Sequence, residues 1–300
     1  MCSKGVFAGQ VAKSASAPAY RCRDRRTSVG RQVRSRYGQS FCSANEITSR
    51  LANALGVALI AAEAARPIEH PDALDYILRG RAATLRPSSR DVYAEAISLF
   101  EHALALDPQS VEAESRLANS LAGRVLDRMT NSAAADLARA EGLVGRALAA
   151  SPHSAYAHQV KGLVLRAQKR WEEAIPEYET TLASNRNGVS ALTSLGWCKL
   201  FTGSIEEVIP VVEQAIRLSP RDPAMGWWRF LIATVHLLQS RTDEAIVWLE
   251  IARSAMPAVP IVRSGLASAY ALKGETDRAG TELAEARKLD GVIYLQASPA

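Results

Sequence analysis

Aromatic residues, cysteines and long apolar runs are scarce in this chain of 300 residues. Aromatics make up only 6% of the sequence, although 48% of it is hydrophobic. No segment approaches the roughly 18–20 consecutive apolar residues of a membrane-spanning helix, so we expect no membrane contact. Three of the four cysteines precede residue 43, and none forms a C-x-x-C pair, which argues against a zinc or redox motif. We therefore expect a protein of the reducing cytoplasm.

Motifs that carry catalysis are missing as well. There is no GxxxxGK[ST], GxGxxG after a strand, GxSxG or HExxH, so nucleotide, hydrolase and zinc-protease functions lack a starting residue. His153 and His158 are five residues apart and share no helical face. The pair Glu172 and Glu173 opens a predicted helix, where the helix dipole favours negative charge. Cys198 fits buried packing better than a reactive thiol. We predict no catalytic residue, no metal site and no cofactor.

Positive charge is concentrated at the N-terminus. Residues 1–42 contain seven Arg and two Lys against Asp24 alone, a net charge of +8. Because the whole chain carries +5, residues 43–300 carry −3. The N-terminal segment shows no period of 2 or 3.6, which predicts a disordered basic leader over residues 1–44. Nucleic-acid binding by its arginines is the weaker alternative, since its few aromatics are not in register for stacking on bases.

A helix is predicted where the composition changes. Ile47, Leu51 and Leu55 lie four residues apart on one helical face, and Asn45 is suited to cap the N-terminus. This predicts a lead-in helix over residues 45–66. Pro67 and the proline at 71 then mark a link to the next segment.

Residues 72–290 have the composition of helices throughout and contain a repeat. The repeats end at six closing positions: Pro108, Pro152, Arg186, Pro220, Pro257 and Gly291. Their spacings are 44, 34, 34, 37 and 34 residues, and we expect a C-terminal tail over residues 291–300. Small residues recur five and twelve residues before each closing position, and one lies in a first helix: Ala96, Ala103, Ala140, Ala147, Ala174, Gly196, Ala215, Ala245, Ala252, Ala279 and Ala286. Larger apolar residues alternate with them, which lets two antiparallel helices cross closely.

The repeat resembles the tetratricopeptide repeat (TPR). The best match to its signature is Leu266, Ala267 and Tyr270, followed by Ala279, a large apolar residue and Ala286. The resemblance covers about residues 73–290 and implies an all-α solenoid of about six antiparallel helical hairpins. Arg186 departs from the pattern, as do about ten extra residues around residues 127–134. The turn chemistry agrees with the resemblance, because Gly203 and Gly274 are placed to end helices. Ser204 and Glu207 are spaced as a capping box.

Some repeats show a narrower resemblance. Residues 71–80 (PDALDYILRG), 93–108 and 195–203 (LGWCKLFTG) resemble the C-terminal repeat region of multidomain bacterial class III adenylate cyclases. That resemblance implies an order of cyclase domain, TolB-like domain and repeat array, in which the cyclase domain has no counterpart here. We expect a truncated or frame-shifted copy, with the basic leader in place of the upstream domains. The alternative is a part of an adenylate cyclase that acts in cyclic AMP signalling.

The resemblance also implies where a partner binds. First helices of such repeats line a concave groove, and the positions that point into it are occupied by Asn119, Tyr156, Gln159, Arg166, Trp197, Trp227 and Phe230. We predict a non-catalytic interaction scaffold that holds a protein or peptide segment in this groove, with the aromatic residues as anchors. Packing of the same aromatics between neighbouring hairpins stays open as the alternative.

Overall fold

A computed structural model describes residues 44–66 and 71–297 of the chain. The predicted basic leader lies outside the described residues, apart from Ala44. The described part contains thirteen α-helices and no strand. They are α1 (Ala44–Ala64), α2 (Ala73–Ala83), α3 (Arg90–Leu106), α4 (Val111–Leu126), α5 (Ala133–Ala150), α6 (Ala155–Ala167), α7 (Trp171–Ser184), α8 (Val189–Phe201), α9 (Val208–Leu218), α10 (Met225–Leu238), α11 (Thr242–Ala255), α12 (Pro260–Leu272) and α13 (Thr276–Ala297).

Helices α2 to α13 form six antiparallel hairpins, which confirms the predicted fold class. Each even-numbered helix packs most extensively on the odd-numbered helix that follows it, and each hairpin then packs on the next. First helices of neighbouring hairpins also contact one another, whereas second helices of neighbouring hairpins make no comparable contact in the described chain. The six first helices are therefore the inner layer of a curved stack, and the second helices form its outer layer.

Close helix crossings hold each hairpin together. A Cβ atom built on Gly162 would lie 2.9 Å from the ring of Tyr178, and one on Gly80 would lie 2.5 Å from the ring of Phe100. Ten of the eleven small positions predicted from the repeat are buried. Ala279 is only half-buried, because it lies on α13 and no further hairpin of the described chain covers that helix. Small side chains therefore let the helices approach and the opposing rings fill the space.

Helix ends follow the predicted turn chemistry except at α9. Gly203 and Gly274 take the positive φ angles of 86° and 82° that favour glycine. The capping box predicted for Ser204 and Glu207 is wrong: a short 3-10 turn, Ile205–Glu207, precedes α9, and Ser204 makes no side-chain cap. The physical reason is that the Glu207 carboxylate accepts a hydrogen bond from Lys199 Nζ at 2.6 Å, so it does not turn back to cap the helix.

The extra residues of the long repeat lie between α4 and α5. They are held by Arg124, whose Nε donates to Asp136 Oδ2 at 2.7 Å and whose Nη2 donates to Asp136 Oδ1. Asp136 is only 5% exposed, so this two-point pair is largely shielded from solvent. Tyr93 adds a hydrogen bond from its hydroxyl to Asp127 Oδ2 at 2.7 Å. The insertion therefore closes over the hairpin without disturbing the stack.

The two ends of the array differ from the sequence prediction. Helix α1 runs from Ala44 to Ala64, so it ends two residues before the predicted lead-in segment does, and Asn45, predicted as its cap, lies inside its first turn. Helix α13 continues to Ala297, so residues 291–297, predicted as a tail, are helical. A single glycine such as Gly291 costs about 1 kcal/mol in a helix, which is too little to end one by itself.

Glycine replacement tests the close crossings. Gly162→Ala should destabilise the protein by about 1–3 kcal/mol, because the new methyl group overlaps the Tyr178 ring. Gly145→Ala is the matched control: a Cβ atom there meets nothing within 4 Å, so it should stabilise α5 by about 0.5–1 kcal/mol. Urea unfolding measures both. Equal effects of the two substitutions would contradict the assigned crossing.

Candidate protein-interaction surface

The inner layer begins with a polar region on α2, α4 and α6. Arg81 and Arg116 each donate to Glu112 Oε1 at 3.4 Å. The Arg116 guanidinium also lies 4.1 Å from the centre of the Tyr156 ring, and its Nη1 donates to the Tyr156 hydroxyl at 3.1 Å. Burial raises the pKa of Tyr156, and the neighbouring Arg116 opposes that shift. These contacts join three consecutive first helices across the inner surface.

An aromatic ladder begins at Trp171, the first residue of the outer helix α7, and continues along the inner helices α8 and α10. The Trp171 ring stacks on Phe201 at 4.4 Å, and Phe201 lies 6.3 Å from Trp197. Trp197 in turn lies 6.4 Å from Phe230, which contacts Trp227 edge-on at 6.1 Å. All four contacts are within the range of aromatic pairs that attract each other. The ladder therefore connects hairpins three, four and five through aromatic contacts.

Exposed large apolar side chains fall into two rows along the first helices. Near the N-termini of these helices, the first row consists of Leu74, Trp227 and Ile261. At or just beyond their C-termini, the second row consists of Leu85, Phe201, Leu238 and Leu272. Trp227 and Leu238, one from each row, are eleven residues apart on α10. Eleven residues are about three helical turns, so the two side chains lie on the same face of the helix. Only Leu106 and Leu283 are exposed large apolar residues on the described second helices.

The predicted partner-binding residues lie on this inner layer, with different exposures. Trp227 is 38% exposed and Trp197 is half-buried, whereas Phe230 is only 9% exposed and packs against Gly265 of α12. Phe230 therefore lies in the floor of this surface. The remaining predicted residues are half-buried: Asn119, Tyr156, Gln159 and Arg166. Gln159 Nε2 donates to Ser190 Oγ at 3.4 Å across α6 and α8.

Sequence reasoning missed the second apolar row. The pattern carried over from TPR proteins selects Leu200, which is buried, whereas its neighbour Phe201 is 55% exposed. A usable pattern was present, because a large apolar residue stands fifteen residues after the closing position in hairpins four and six, at Phe201 and Leu272. Leu238 stands at the same place once the three inserted residues of its hairpin are allowed for.

Basic side chains dominate the inner helices of the later hairpins. Helices α6, α8, α10 and α12 contain five Lys or Arg and no Asp or Glu. Three of these cations pair with carboxylates of the outer layer: Lys161 with Glu177 at 2.5 Å, Lys199 with Glu207 at 2.6 Å and Arg263 with Glu282 at 2.9 Å. Arg166 and Arg229 have no acidic partner in the described chain, and burial lowers the pKa of Arg229. Lys161, Lys199 and Arg263 therefore point toward the outer layer, and carboxylates balance their charge there.

Cys198 and His236 are buried among apolar neighbours. Burial raises the pKa of the Cys198 thiol to about 11, which keeps it protonated at neutral pH. His236 is 1% exposed, and neither ring nitrogen has a hydrogen-bond partner in the described chain. Within residues 44–66 and 71–297, no three His, Cys, Asp or Glu side chains come together as a possible metal site. The geometry suits binding through shape and apolar contact.

The architecture defines a TPR-type α-solenoid, and comparison with known proteins agrees. Residues 132–189, which include α5 to α7, match the family model of the tetratricopeptide repeat. A comparison with curated proteins gives no match. In the described part of the chain, none of the helices combines the length and apolarity needed to cross a membrane.

Solved structures show the same fold at low sequence identity. The chain superposes on the crystal structure of the APC/C hetero-tetramer Cut9–Hcn1 with a TM-score of 0.63 and 16% identity, covering 80% of this chain and 44% of that one. It thus spans less than half of that protein's length. TTC0263, a thermophilic TPR protein of Thermus thermophilus, gives a TM-score of 0.51 at 20% identity, covering 66% of this chain and 98% of that one. PilF of Pseudomonas aeruginosa gives a TM-score of 0.51 at 17% identity, covering 70% of this chain and 88% of that one.

The buried His236 predicts a pH dependence of stability. Burial lowers its pKa below the ordinary value of 6.5, and the nearby Arg241 adds to this shift. The unfolded chain therefore binds a proton that the folded chain resists, so stability is lost as the pH falls below about 6.5. The His236→Leu variant has no group that titrates at this position, so it should lose less stability than the wild type between pH 7 and pH 5.5. Leu121 occupies the equivalent place in α4, so a leucine fits there.

Urea unfolding at both pH values measures the effect. His153→Leu, at an exposed position, is the matched control substitution. A His236→Leu protein that loses stability in acid as steeply as the wild type would refute this role.

Proposed function

We propose that this protein is a non-catalytic interaction scaffold that binds a segment of another protein along its inner surface. The observation that carries the proposal is the pair of apolar rows along the first helices. Seven of the nine exposed large apolar residues of the described hairpins belong to these rows. Five of them lie on the consecutive first helices α8, α10 and α12, and an exposed apolar patch of this kind marks an interaction site: Phe201, Trp227, Leu238, Ile261 and Leu272.

The chemistry of the surface supports an elongated ligand. The aromatic ladder supplies rigid apolar contacts, which contribute most to binding at protein interfaces. Polar side chains on α4 and α6, including Asn119, Gln159 and Arg166, can hydrogen-bond to a bound backbone or side chain. We propose these three residues, together with Tyr156, Trp197, Trp227 and Phe230, as the partner-contacting set.

The relation to adenylate cyclases stays a prediction from the resemblance. Its consequence is that the scaffold is a regulatory or interaction region of a cyclase-like signalling protein. Incubation of the full chain with ATP and Mg²⁺ or Mn²⁺ tests the enzymatic alternative. We expect no cyclic AMP, and its formation by the purified chain would overturn the non-catalytic proposal.

Selection of ligands from a random peptide library displayed on phage tests the scaffold function. We expect the full chain to enrich peptides, and Trp227→Ala to weaken their binding by about 2 kcal/mol, roughly 30-fold, because an exposed aromatic anchor is lost. Fluorescence anisotropy with the synthesised peptides measures the affinity. Leu106→Ala is the matched control on an outer helix and should leave the affinity unchanged. Equal losses for both variants would contradict binding on the inner surface.

A further inference from the structure

Helix α1 is the least covered part of the described chain. Between residues 51 and 62 its only polar residue is Asn53. Leu51, Leu55 and Leu59 are 59%, 69% and 63% exposed, and α1 makes no contact with the array comparable to those between hairpin helices. At about 100° per residue, these leucines fall within a sector of about 80°, and Ile60 lies on the opposite side. A helix that is apolar all round is stable in water only when it is enclosed.

The inner surface of hairpins four to six, here called the inner groove, is wide enough to enclose a helix such as α1. Its two walls are the apolar rows, represented by Trp227 and Ile261 on one side and Leu238 and Leu272 on the other. Eleven residues of helix separate the walls by about 16 Å. A bound helix with its side chains is about 10–12 Å wide, so side chains that lean in from both walls would contact it.

The floor between the walls leaves room for such a helix. It carries the small residues Thr234, Ser264 and Ser268. The Thr234 hydroxyl donates to the Phe230 carbonyl at 2.9 Å, and the Ser268 hydroxyl donates to the Ser264 carbonyl at 3.0 Å. Because the hydroxyls of Thr234 and Ser268 donate within their own helices, an apolar ligand can cover these two hydroxyls without the full penalty of an unpaired polar group.

The length and charge of α1 also fit the inner groove. Neighbouring helices pack about 8–10 Å apart, so the three inner helices of the groove extend over about 20 Å between the first and last axes. The apolar part of α1, residues 51–62, is about 18 Å long. It contains no charged residue, so its burial leaves no charge of α1 unpaired.

We propose that the inner groove of one molecule binds helix α1 of a second copy of the chain. The proposal rests on the proposed function, since it names the partner of the same surface. Eight residues connect α1 to α2 and reach at most about 28 Å. Helix α8 lies three inner-helix steps from α2, about 24–30 Å away, so α1 enters the groove of its own molecule only if this connection is almost fully extended, which costs backbone entropy. A second copy is free of this limit.

Self-association of full-chain variants tests the proposal. Sedimentation equilibrium should show that the wild type forms species larger than a monomer in a concentration-dependent way. Leu55→Glu on α1 and Leu238→Glu in the groove should each weaken self-association roughly 100-fold or more, because each places a carboxylate in an apolar contact. Leu106→Glu, an equally exposed leucine on an outer helix, should associate as the wild type does.

Mixing the two defective variants gives the sharpest result. The Leu55→Glu protein keeps an intact groove and the Leu238→Glu protein keeps an intact α1, so an equimolar mixture should form a one-to-one heterodimer. A monomeric wild type, a mixture that stays monomeric, or dissociation by Leu106→Glu would overturn the proposal. If the wild type is monomeric while library peptides still bind the groove, the self-docking proposal fails and the scaffold function stands.

Discussion

The close crossing of two helices inside each hairpin is the constraint on which this structure depends. Where Gly162 faces the Tyr178 ring and Gly80 faces the Phe100 ring, there is no space for even one additional methyl group. Alanine repeats the same arrangement at most other crossings, so six hairpins of similar shape stack with similar geometry. Because each hairpin buries its apolar residues partly against its neighbours, the stack is stable as an array.

The same constraint explains the inner surface. Hairpins that pack through small residues bring the first helices of neighbours into contact, and the second helices remain farther apart. Side chains on the inner face of the first helices then have no helix of the array above them. Phe201, Leu238 and Leu272 consequently stay exposed, although similar residues elsewhere in the hairpins are buried. The binding surface is thus a by-product of how the array packs.

Most of the fold was predictable from the sequence, because the spacing of small and large residues reports the crossings directly. The six hairpins and the glycine turns at Gly203 and Gly274 followed from that spacing. The start of α9 did not, since the pairing of Lys199 with Glu207 depends on tertiary distance. The second apolar row was missed because the pattern carried over from TPR proteins selects Leu200, one residue before Phe201. Ala279 is half-buried because α13 is the last helix of the described chain and no further hairpin covers it. The repeat pattern assigns Ala279 the same position as Ala245 and so does not predict this difference.

A double-mutant cycle between Gly162 and Tyr178 tests most directly whether the close crossing governs the array. The free energy of unfolding is measured for the wild type, Gly162→Ala, Tyr178→Leu and the double variant. Removal of the ring makes room for the added methyl group, so the double variant should be more stable than the sum of the single losses by about 1 kcal/mol or more. Additive losses would show that the two residues do not oppose each other and would contradict this account.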